Sequence, residues 1–137
     1  MIDSVIPLLM SLTAPLLLIP IENIFPYPYL IEEPTKLLIV LVILSQEKQF
    51  SRPFVSIAFL AGAFFTLSES IFYLINIFAL GDLSIFPRRL LLTGILHLGT
   101  IMLMYVAGRK KNPVCLALAL FLSIVIHFGY NLWMASM

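Results

Sequence analysis

The chain has 137 residues, 61% of them hydrophobic and only 11% charged, with 8 Lys+Arg against 7 Asp+Glu. Soluble domains run at about 45–50% apolar and about 25% charged, and a chain this short cannot bury such an apolar excess in a soluble core. The composition excludes a soluble enzyme, a disordered chain and a nucleic-acid-binding domain, and predicts an all-α polytopic transmembrane helix bundle in one domain, residues 1–137.

Five spans are expected. The first covers residues 5–21, where Pro7, Pro15 and Pro20 predict a kinked or irregular helix. Asp3 precedes it and no basic cluster does, so it reads as a retained span and not a cleaved leader. A break containing Pro26 and Pro28 leads to the second span, 30–44, whose first turns hold Glu32, Glu33 and Lys36. A polar loop is expected over 46–52. The third span, 53–80, starts on Pro53, a good first helical residue. At roughly 42 Å it has to tilt or protrude. A turn over 81–87 precedes the fourth span, 88–107, and a basic loop over 108–112 precedes the fifth, 113–134. The lone cysteine, Cys115, reads as a small apolar filler.

Five basic residues share one side of this arrangement: Lys48, Arg52, Arg109, Lys110 and Lys111. Arg88 and Arg89 lie on the other. The positive-inside rule then puts the N-terminus in the cytoplasm and the C-terminus outside.

The ionisable residues within the spans carry the functional argument. Thr66, Glu69, Tyr73 and Asn76 form a polar stripe at helical spacing in the third span. Arg89, Thr93, His97 and Thr100 do so in the fourth, and Ser123, His127 and Asn131 in the fifth. Such faces turn toward other helices or a wet cavity. Counting from the outer ends, Glu69 lies roughly 16 Å deep, His97 roughly 13 Å and His127 roughly 10 Å. Glu33 is close to the outer start of its span. Four helices thus bring carboxylates and both histidines to one level. Taken singly, these residues have plainer explanations: a histidine bonding a neighbouring helix, a Glu32–Lys36 pair at the interface, Tyr27, Tyr29 and Trp133 as interface anchors. Together they suit peptide hydrolysis, which needs a base for water, an acid for the leaving amine and oxyanion donors. Glu69, His97 and His127 also make a two-histidine, one-carboxylate zinc set.

Four short motifs occur in order on successive spans: Glu32-Glu33-Pro34-Thr35-Lys36, Phe65 to Glu69, His97, and His127 to Asn131. The series resembles the PrsW family of intramembrane proteases, relatives of the CAAX prenyl endopeptidases and Abi proteins. The resemblance implies an endopeptidase cutting membrane-anchored proteins in the bilayer of a prokaryotic cell. By that analogy Glu32 is the water-activating base, Glu69 replaces the relatives' histidine, His127 and Asn131 hold the oxyanion, and Lys36 orients the glutamates. The mechanism stays open between glutamic and metal-dependent, with zinc as the metal. The alternatives are a non-enzymatic immunity or sensor protein and, ranked last, a bis-histidine haem protein or a proton or ion carrier.

Overall fold

The computed structural model describes residues 5–22, 24–50, 53–80 and 83–136. Arg52 and Gly81, used in the topology and turn expectations, lie outside them, as does the side chain of Asn76. The described residues form five helices: α1 (Val5–Glu22), α2 (Tyr29–Phe50), α3 (Val55–Leu80), α4 (Ile85–Arg109) and α5 (Pro113–Ala135). The number and order match the expected spans; α2 and α4 extend beyond the expected bounds, and α3 starts at Val55, so Pro53 precedes the helix and is not its first residue.

α2 continues to Phe50 through the segment expected as a loop. Gln46, Glu47, Lys48 and Gln49 are polar but good helix formers. Gln46 is buried, and Glu47 pairs with Arg109 of α4 at 2.9 Å. α4 begins at Ile85, with Pro87 inside its first turn. A proline is tolerated there because first-turn amides have no partner within the helix.

Four helices, α1, α3, α4 and α5, are long and apolar enough to cross a membrane. α2 falls short in composition and not in length: its 22 residues span roughly 33 Å. It carries Glu32, Glu33, Lys36, Glu47 and Lys48. Its position explains how a charged helix fits here. α2 packs against all four other helices, whereas α5 touches only α2 and α4 among the described residues. The buried positions of α2 run Glu32, Glu33, Lys36, Ile39, Val40, Ile43 and Gln46, a single inward stripe.

The interior therefore has two storeys. One is apolar, built from Ile39, Val40 and Ile43 of α2, Ala58, Ala61 and Phe65 of α3, and Ile101, Met104 and Tyr105 of α4. The other is polar and contains Glu32, Glu33, Lys36, His97 and His127. Phe65, fully buried, separates them: its ring centre lies 4.8 Å from Lys36 Nζ and 5.1 Å from the His97 ring. The outer faces carry exposed Leu17, Leu91, Ile95, Leu118 and Phe121, as lipid contact requires.

The α3–α4 crossing depends on Gly62. A Cβ there would lie 3.0 Å from Leu98 Cα and 3.3 Å from its backbone nitrogen, so the two backbones can approach only over a glycine. Gly99 on α4 has open space around its Cβ position. We expect Gly62→Val to lower stability by about 1–3 kcal/mol, and Gly99→Ala to leave it unchanged or slightly raised. Thermal unfolding in detergent measures both.

Candidate active site

Lys36 is the hub of the polar storey. It is fully buried, and its ammonium donates to Glu33 Oε1 and to His97 Nδ1, each at 2.6 Å. Glu32 Oε2 lies 3.6 Å away, beyond hydrogen-bond reach. Spacing within α2 explains this: Glu33 and Lys36 are three apart and share the inward face, with Glu32 at its edge.

The contacts fix the state of both rings. An ammonium has donors only, so His97 Nδ1 is an acceptor and the ring proton sits on Nε2. Nε2 then donates to Glu69 Oε2. His127 is the reverse: Nδ1 faces Glu33 Oε1 at 2.7 Å, and a carboxylate only accepts, so Nδ1 carries the proton. The two rings meet edge to face, with centres 5.7 Å apart.

A cavity of about 350 Å³ opens on one side of this cluster. Glu32, Glu69, His127 and Asn131 line it, with Tyr73 and Glu22. Glu33, Lys36 and His97 do not reach it. They stand behind the lining and hold it: Glu33 holds His127, and His97 holds Glu69. Glu32 is the exception. Its Oε2 is buried without a hydrogen-bond partner among the described residues, and its side chain lines the cavity.

All seven residues expected from sequence thus come together, in two layers. The metal expectation shifts. The ligand atoms of Glu32, Glu69 and His97 lie within 4.8 Å of one another. That trio has Glu32 in the place expected for His127, whose Nδ1 is engaged by Glu33. In donor type and spacing it fits a divalent cation such as zinc, which takes imidazole and carboxylate together. The fit has a condition: His97 offers Nε2 to a cation only in exchange for the proton that Lys36 keeps there.

Sequence reasoning missed two lining residues. Glu22 closes α1 at helical spacing from Pro15 and Ile19, which line the same cavity. Tyr73 belonged to the predicted stripe without a role; its ring lies under Arg89, 3.6 Å from the guanidinium carbon.

Residues 24–137 match the profile of a family described as PrsW family intramembrane metalloprotease. The chain belongs to the PrsW family. No curated protein and no solved structure matches it. Membership in the PrsW family makes the chain an integral membrane protein of the intramembrane protease class, whose substrates are embedded in the bilayer.

The hub carries a stability prediction. Lys36→Met leaves the Glu33 carboxylate buried without its cation, a loss of about 3–5 kcal/mol. Glu33→Gln added to Lys36→Met should recover part of it, as measured by chemical unfolding in detergent. No recovery in the double variant contradicts the pairing.

Proposed function

We propose that the chain is an endopeptidase that cleaves membrane-anchored proteins, with Glu32 as the base that takes a proton from water. One observation carries this reading: among the groups on the cavity wall, Glu32 has a buried oxygen with no hydrogen-bond partner, while Glu69 and His127 are held from behind.

In the proposed sequence, the scissile carbonyl enters the cavity and water attacks its carbon. Glu32 accepts the water proton. Asn131 and His127 face the developing oxyanion. Glu33 holds the His127 ring in place there through Nδ1. The carbon–nitrogen bond then breaks, and the leaving nitrogen takes the proton from Glu32. Glu69, anchored by His97, orients the attacking water. Lys36 holds Glu33 Oε1 and His97 Nδ1 in place. The family description and the converging trio favour a metal-dependent version as well. Glu32, Glu69 and His97 would hold the cation, which when bound polarises the carbonyl and lowers the pKa of bound water. Family membership favours either version over an immunity, sensor or haem role.

The test is cleavage of a single-pass membrane substrate by purified protein. Glu32→Gln should lower the rate about 10²–10⁴-fold, and Asn131→Ala about 10²–10³-fold, with folding intact. Unchanged cleavage by Glu32→Gln refutes the assignment. Loss of activity on chelation, restored by zinc, selects the metal-dependent version.

The basic residues at the opposite end also lead us to place that end in the cytoplasm. With Cys115 replaced by alanine, a cysteine at Lys110 should react with an impermeant maleimide only after the cells are opened. Labelling of intact cells reverses the orientation.

A further inference from the structure

The end of the bundle opposite the carboxylates holds a second cavity, of about 790 Å³, between the last turns of α2, the start of α3 and the α4–α5 turn. It lies roughly 18 Å along α2 and α4 from Lys36 and His97, twelve residues further on in each helix. Lys48, Arg109 and Lys111 line it, together with Glu47.

Glu47 is fully engaged. Its Oε1 accepts from Arg109 Nε at 2.9 Å, and its Oε2 accepts the Tyr105 hydroxyl at 2.6 Å. The Tyr105 oxygen in turn accepts the Phe54 amide at 3.1 Å. The carboxylate fastens α2 to α4 and to the start of α3, and it orients Arg109. Three cations less one carboxylate leave the lining with a net charge of +2.

Lys111 supplies an independent observation. Its φ of 54° is in the left-handed region, the one such non-glycine among the described residues. Glycine takes that conformation without the Cβ penalty that lysine meets, and asparagine offsets the penalty with local side-chain hydrogen bonds. The adjacent Asn112 is already used, capping α5 by accepting the Val114 amide at 2.9 Å. A long cationic side chain is therefore kept on an unfavourable backbone, and it lines the cavity. Leu44 forms part of the wall, while Val106 and Val114, three residues from Arg109 and Lys111, are exposed as lipid-facing residues are.

We propose that this cavity binds the phosphate of an anionic phospholipid headgroup, with Lys48 and Lys111 as direct partners and Arg109 oriented by Glu47. Basic pockets between transmembrane helices take such headgroups through point charges and multiple donors. The exposed apolar residues beside the cavity leave room for the acyl chains, which a soluble phosphate lacks.

The test uses the whole purified protein in neutral detergent. Phosphatidylglycerol, phosphatidylcholine and inorganic phosphate are the probes. Lipid retention in native mass spectra and thermal unfolding are the readouts. Phosphatidylglycerol should be retained and raise the unfolding temperature, and phosphatidylcholine and inorganic phosphate should do neither. Lys111→Gly relieves the backbone, so it should fold at least as well as the parent and bind phosphatidylglycerol about fivefold more weakly. Lys111→Asn should do the same by a second route, and Lys48→Gln with Lys111→Gly should cost about 25-fold. Folded Lys111→Gly or Lys111→Asn protein that binds the lipid as tightly as the parent overturns the proposal. So does inorganic phosphate that reproduces the shift.

Discussion

One buried ammonium makes the polar storey possible. A carboxylate in a bilayer interior is expensive unless paired, and Lys36 is the only lysine side chain in that storey. By bonding Glu33 on its own helix and His97 on α4, it joins two helices directly. Through Glu33 it reaches His127 on α5, and through His97 it reaches Glu69 on α3. Four helices meet on one cation. Buried pairs of this kind add little net stability over an apolar core, but breaking one is costly. The hub therefore specifies the register of the bundle more than it strengthens it.

The same geometry divides labour between two layers. The rear layer of Glu33, Lys36 and His97 is closed off from the cavity and joined through Lys36 Nζ, although Glu33 Oε2 has no hydrogen-bond partner among the described residues. The front layer of Glu32, Glu69, His127 and Asn131 faces the cavity. Each member of the front layer with a rear partner has its orientation set from behind, which is the preorganisation that the proposed hydrolysis calls for. Glu32 Oε2 has no hydrogen bond among the described residues and is the oxygen to which the proposed mechanism assigns the water proton.

Much of this was legible in the sequence. Charges are scarce in a membrane chain, so Glu32, Glu33, Lys36, Glu69, His97 and His127 stood out, and helical spacing put them on inward faces. Depth along each helix brought them to one level. Periodicity gives the face of each helix but not its rotation against its neighbours. That is why the sequence could not decide which histidine meets Glu69, or that Glu33 stands behind the cavity wall while Glu32 lines it. The continuation of α2 was hidden because Gln46, Glu47 and Lys48 look like a solvated loop. The partners of Glu47, Tyr105 and Arg109, lie some 60 residues away and are visible only in three dimensions. Glu22 escaped because it looked like the start of a break, although it ends a helical face.

α1 stands apart from this network. It packs against α2 and α3 and meets neither α4 nor α5 among the described residues. It contributes Pro15, Ile19 and Glu22 to the cavity wall but no group to the Lys36 hub. Pro15 and Pro20 each remove a backbone hydrogen bond from it. The helix that screens the cavity on this side packs on α2 and α3 but supplies none of the hydrogen bonds that tie the hub together. A shift of α1 would therefore open the cavity wall without breaking any hydrogen bond of the hub.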